Sequence, residues 1–275
     1  MTYSQPSSLS DALGVLEGAR ATIVAGGTDY YPAMFGHRQP DVLLDVSRID
    51  GLSDVSFCKE TIRIGAAVTW TDIIKADLPR AFDALKQAAK EVGSIQIQNA
   101  GTVVGNICNA SPAADGIPPL LALDARVELV SAARGLRVVA MQDFVTGVRQ
   151  TARAPDELVT SLIVAKPPSA MVSGFEKLGS RTYLVISIVM TAANLLLDQA
   201  GRIAQARIAV GSCSSVAQRL PDLESDLIGK APGAFKISDQ HLAPLNPIDD
   251  VRGSSVYRLE AARQQIDRVL SRARE

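Results

Sequence analysis

Val24-Ala25-Gly26-Gly27-Thr28-Asp29 closes a short β-branched apolar run, Thr22 to Ala25, with two glycines, a hydroxyl and a carboxylate. Paired glycines permit positive φ and let successive backbone N–H groups point into one concavity, a nest that can hold a pyrophosphate. Alone, such a stretch is more often a tight turn. A second segment, Gln96 to Asp115, adds weight: Gly101, Thr102, Gly105, Asn106, Asn109, Ser111 and Asp115 precede a predicted helix that reaches Leu123. Long polar, glycine-studded segments inside a compact domain are uncommon and usually functional. A structural loop whose amides cap neighbouring backbone is the other reading of those residues.

Outward from these segments, Ser8 precedes Leu9, Ala12, Leu13 and Leu16, which predicts a capped amphipathic helix over 8–19. With strands at 22–25 and 42–46, the first fifty residues read as helix, strand, loop, strand. A strand over 61–68 leads to a helix start at Thr71-Asp72, and 79–92 follows helical spacing. Residues 126–131 and 135–140, joined by a tight turn, predict a β-hairpin. Pro167-Pro168 ends a strand at 158–164, because a diproline cannot continue a sheet ladder. Beyond it come strands at about 185–197 and 203–210, then two or three helices. The last, 254–272, places Val256, Leu259, Ile266, Val269 and Leu270 on one face.

The chain of 275 residues is 47% hydrophobic and 21% charged, the composition of an ordinary globular protein. A net charge of −1 without a basic arm, and only 4% aromatic residues, disfavour nucleic acid as a partner. No apolar run is long enough to span a membrane and the N-terminus is not a secretory signal, so a cytoplasmic protein is expected. Cys58, Cys108 and Cys213 are too few for an iron–sulfur cluster, and His37 and His241 do not suggest a metal site. No G-x-G-x-x-G, P-loop or G-x-S-x-G motif occurs, which disfavours Rossmann, P-loop and serine-hydrolase chemistry.

Five ordered stretches then point to a family: Ala25 to Asp29, Ile64-Gly-Ala-Ala-Val-Thr69, Asn99-Ala-Gly-Thr-Val-Val-Gly-Asn106, Ser111-Pro-Ala-Ala-Asp115 and Lys177-Leu-Gly-Ser-Arg181. Together they resemble the FAD-binding (medium) subunit of molybdenum hydroxylases, of the xanthine dehydrogenase and carbon monoxide dehydrogenase type, over nearly the whole chain. The resemblance implies an α+β protein: a bipartite FAD-binding region of the vanillyl-alcohol-oxidase (PCMH) type in 1–52 and 53–166, and a CO-dehydrogenase-flavoprotein-like C-terminal domain in 167–275. It also implies that Val24, Ala25, Gly26, Gly27, Thr28 and Asp29 wrap the FAD pyrophosphate. Thr102, Val103, Val104, Gly105 and Asn106 would approach it from the other subdomain. Asp115 would contact the adenosine end and Lys177 would lie by the flavin ring. Tyr183 falls where relatives place an aromatic residue near the isoalloxazine, although a core tyrosine at a strand start is equally open.

The family's second loop usually reads Thr-x-Gly-Gly-Asn. Val104 stands in place of the first of those glycines, where a side chain would crowd the approach to phosphate. No cysteine-rich insertion of the benzoyl-CoA-reductase branch is present. The function implied is electron transfer from iron–sulfur clusters through non-covalent FAD to NAD⁺ or another acceptor. The molybdenum cofactor would sit on a large partner subunit and the 2Fe-2S clusters on a small one, with no catalytic or metal-ligating residue on this chain. The alternatives are an FAD-free structural adaptor and a stand-alone flavin oxidase.

Overall fold

The computed structural model describes residues 1–34, 36, 39–181 and 184–272. The chain begins with β1 (Thr2–Ser4), α1 (Leu9–Gly18), β2 (Ala21–Val24), α2 (Tyr30–Ala33) and β3 (Val42–Asp45). The Ser8 hydroxyl accepts the N–H of Asp11 and so starts α1, which buries Ala12, Leu13 and Leu16. β1 and β2 flank β3 in a parallel three-stranded sheet, with Val24 opposite Asp45. The expected helix–strand–loop–strand unit is present. β1 is an addition that three residues of sequence could not announce.

The second sheet holds β4 (Val55–Phe57), β5 (Thr61–Gly65), β6 (Arg126–Ser131), β7 (Gly135–Ala140) and β10 (Leu158–Ala165) in the antiparallel order β4-β5-β10-β6-β7. The β6–β7 hairpin pairs Ser131 with Gly135, whose φ of +70° makes the turn. Between β5 and β6 run α3 (Trp70–Lys75), α4 (Asp83–Glu91), α5 (Ile95–Ala100), α6 (Val103–Asn109) and α7 (Ile117–Ala122). The start of α3 differs from expectation. Thr69 is the cap, in a reciprocal capping box with Asp72, and this seats Trp70 in the core at 1% exposure. Residues 80–82 form a 3₁₀ turn ahead of α4 within the span expected to be one helix. After β7 come α8 (Met141–Phe144) and a small hairpin of β8 (Val145–Gly147) and β9 (Gln150–Thr151).

The third sheet, β11 (Val172–Leu178), β12 (Val189–Leu197), β13 (Ile203–Gly211) and β14 (Gln218–Arg219), is antiparallel in that order. α9 (Pro221–Asp226) follows, and α10 (Ser255–Arg272) packs Ala262, Ile266, Val269 and Leu270 into the same core as Val189, Leu195 and Ile208. Each such buried branched side chain contributes roughly 1.5–3 kcal/mol. Two expectations change here. Val256 lies off the apolar stripe at 76% exposure, while Arg258 is on the buried face. β12 begins at Val189 rather than at residue 185.

The second and third sheets are bound through α4. Ala84, Ala88, Phe175, Met190 and Ala192 share a small core, the Ala84 N–H donates to Ser173 Oγ at 2.9 Å, and Phe175 N–H donates to Gln87 Oε1 at 2.7 Å. This seam places β11 and the residues just before β12 beside the loop that precedes α7.

Candidate functional site

The first glycine loop leaves β2 at Val24, whose carbonyl accepts the N–H of Val46 at 2.9 Å. A Cβ on Gly26 would stand 1.8 Å from the Ala100 carbonyl oxygen and 2.9 Å from Gly101 Cα, so only glycine fits there. Gly27 has a φ of +68°, and its carbonyl accepts the N–H of Tyr31 at 3.0 Å. Among the described residues, no acceptor takes the backbone N–H of Gly26, Gly27, Thr28 or Asp29. Four successive free donors on a glycine-bearing turn are what a diphosphate requires.

The second loop lies against the first. A Cβ on Gly101 would meet Thr28 Oγ1 at 3.2 Å, and the Gly101 carbonyl accepts the Trp70 N–H at 3.1 Å. Thr102 caps α6 by accepting the Gly105 N–H at 2.9 Å, and Asn106 Oδ1 accepts the Gly116 N–H at 3.3 Å. Residues 96–115, readable as a loop, thus hold all but the first residue of α5 and the whole of α6. Val103 and Val104 are 0% and 4% exposed and belong to the main core, whereas Gly105 faces solvent. Val104, expected to crowd the approach to phosphate, is turned by the phase of α6 into the main core rather than onto the exposed face of Gly105. The first glycine turn with its free donors, lying against the second loop, fits a dinucleotide diphosphate.

Asp115 and Lys177 meet. Lys177 Nζ donates to Asp115 Oδ2 at 2.6 Å and to the Glu91 carbonyl at 3.1 Å, and Ser187 Oγ donates to Asp115 Oδ1 at 2.6 Å. Both charged side chains are buried, at 4% and 9% exposure. Asp115 and Lys177, expected at the adenosine end and by the flavin ring, are thus in direct contact with each other: a buried carboxylate and a buried ammonium each need a counter-charge, and they supply it to one another. Burial pushes the Asp115 carboxyl up, against the opposing pull of Lys177 and Ser187. Burial also raises Glu91, with Asp115 and Glu176 adding to it and Lys177 opposing. Ser187 and Glu91 carried no sequence signal. Tyr183 lies outside the described residues.

Concavities of about 510 Å³ (Arg80, Gln87, Ser173, Val269, Arg272) and about 630 Å³ (Ser238, Arg263, Asp267) lie away from both glycine loops. Unpaired donors rather than depth mark the site, as suits an extended dinucleotide. The fold also gathers a serine, a histidine and an aspartate, a grouping the sequence did not suggest. His241 Nδ1 accepts the Ser238 N–H at 3.0 Å, and Nε2 lies 3.1 Å from Asp226. With Nδ1 engaged by backbone, this is a local cap rather than a base for Ser238. Among the described residues, no group of three or more His, Cys, Asp or Glu is placed to hold a metal, and no helix is long and apolar enough to cross a membrane.

Residues 1–167 match the model of the FAD binding domain in molybdopterin dehydrogenase, and residues 175–273 match the CO dehydrogenase flavoprotein C-terminal domain. The nicotinate dehydrogenase FAD-subunit of Eubacterium barkeri is 32% identical over 96% of this chain and 89% of its own length. The carbon monoxide dehydrogenase medium chain of Hydrogenophaga pseudoflava is 28% identical over 98% of this chain and 96% of its own. Among solved structures, the Cu,Mo-CO dehydrogenase in its cyanide-inactivated form superposes with a TM-score of 0.92 at 27% identity, over 99% of this chain and 97% of that one. The chain belongs to the FAD-binding medium subunits of the molybdenum hydroxylases, an oxidoreductase family.

Proposed function

We propose that this chain takes electrons from iron–sulfur clusters on a small partner subunit and delivers them to NAD⁺ or another acceptor, within a complex whose large subunit carries the molybdenum cofactor. FAD, when bound, supplies the redox chemistry. The observation that carries the reading is the row of unpaired N–H groups from Gly26 to Asp29, set against the second glycine loop. Val24 to Asp29 would hold the diphosphate from one side and Thr102 to Asn106 from the other. The buried Asp115–Lys177 pair would orient the cofactor and fix the charge beside it. Units 1–52, 53–166 and 167–275 would divide this work.

Val104, the best argument for an FAD-free adaptor, has its side chain in the core, which does not favour that reading. The three cysteines are free thiols, which suits a reducing, cytoplasmic setting. Absorbance of the purified chain tests the proposal. The two visible bands of oxidised flavin are expected, bleaching with a reductant and returning with acceptor. A colourless chain that takes up no added FAD would refute it, and turnover of a small substrate by the isolated chain would favour the stand-alone oxidase.

A further inference from the structure

α10 carries two arginines that grip backbone carbonyl groups and an aspartate, Arg263 through one carbonyl and Arg258 through two. Arg263 faces away from the site, donating from Nη1 to the Ile237 carbonyl and from Nη2 to Asp239. Arg258 faces toward it. At 3% exposure, its Nη1 donates to the carbonyls of Ile188 at 2.6 Å and Ser212 at 3.2 Å, and its Nη2 donates to Asp250 Oδ1 at 2.7 Å. Ile188 is the residue before β12 and Ser212 the residue after β13. Each strand end reaches the candidate site in one further step. Ser187, adjacent to Ile188, donates to Asp115, and the Ser212 N–H donates to the Pro112 carbonyl at 3.0 Å. One guanidinium therefore fixes both strand ends that grip residues 112–115.

The local structure bears costs that simple stabilisation does not explain. Ser212 sits in the left-handed region at a φ of +61°, which a non-glycine residue holds only where its surroundings impose it. Arg258 Nε and Ser212 Oγ are buried without a partner among the described residues. Strained and unsatisfied groups that persist together mark a place where position matters more than stability.

We propose that Arg258, with Asp250 as its counter-ion, is a positioning residue for the Asp115–Lys177 pair and through it for the flavin. The proposal rests on the functional reading above. Lysine keeps the charge of arginine but cannot span two carbonyls and a carboxylate from one planar fork. In FAD-loaded protein, Arg258→Lys is expected to keep FAD affinity within about twofold of wild type, because the pair it positions supplies geometry rather than direct contacts to the ligand. It should shift the flavin reduction potential and visible band shape in the same direction as Asp115→Asn. Arg263→Lys, the matched change on the same helix, lowers the melting temperature and leaves the spectrum and potential at wild-type values.

A variant Arg258→Lys that loses only thermal stability, or an Arg263→Lys that moves the potential equally, overturns the assignment. If Arg258→Lys does not fold, Ser187→Ala decides the matter by cutting the chain of contacts next to Asp115, and an unchanged potential there overturns it too. A wild-type chain that holds no flavin fails at the functional reading and takes this inference with it.

Discussion

Charge is held in two different ways a short distance apart in this molecule. At Gly26 to Asp29 the donors are backbone N–H groups with nothing to bind among the described residues. At Asp115 and Lys177 the partners are side chains, buried and already satisfied by each other, by Ser187 and by the Glu91 carbonyl. The first arrangement keeps its binding capacity for an incoming anion. The second has used its capacity internally, so its contribution is a fixed field and a fixed geometry rather than affinity. Affinity and tuning are thereby separable, and substitutions should pull them apart.

The largest effect belongs to the backbone cradle. Gly26→Val drives a side chain into the Ala100 carbonyl, and co-purified flavin absorbance should vanish; retention of wild-type flavin would break the distinction at once. Next comes Lys177→Met, which leaves the Asp115 carboxylate buried without its ion partner. Urea unfolding should show a loss of about 3–5 kcal/mol, most of it recovered in the double variant with Asp115→Asn. Strict additivity of the two changes would mean that the pair is not coupled.

Val104→Gly, which restores the family's usual residue, should cost about 2 kcal/mol of stability through lost core packing. FAD affinity should stay within about twofold of wild type, the margin expected of a residue that does not touch the ligand. A marked gain in affinity would mean that the valine does obstruct the cradle.

The smallest effect is one of pH. Asp250 is held down to about 2, first by the Arg252 N–H and also by hydrogen bonds from Arg258 and Arg252. A depressed folded value means that its contribution is complete above the ordinary aspartate range and is lost as pH falls toward about 2. Between pH values of about 5 and about 3, melting temperature should therefore fall less steeply in Asp250→Asn than in wild type. Parallel curves would remove Asp250 from the account.

The backbone cradle was legible because its determinants are local. Two glycines after a β-branched run, the Ser8 cap and the β6–β7 hairpin all act within a few residues. The side-chain site was legible only in its ends. Asp115 and Lys177 are 62 residues apart, and nothing in either stretch reveals that β11 packs against the loop before α7 and brings them into contact. Ser187, Glu91 and Arg258 were missed for the same reason, since each acts through register or helix phase. α5 and α6 escaped because six or seven residues make too few turns for an apolar stripe to repeat. The direction of the Val104 side chain could not be read either, since it is set by the phase of a helix that the local pattern does not show.

The seat of Gly26 on the Ala100 peptide carries an implication for biogenesis. The first fifty residues hold all three strands of the parallel sheet, yet one wall of the proposed diphosphate cradle is still unmade until residue 100 has docked. Cofactor capture is accordingly an event of the assembled polypeptide, and chains stalled or truncated before that point would be born colourless and would stay so.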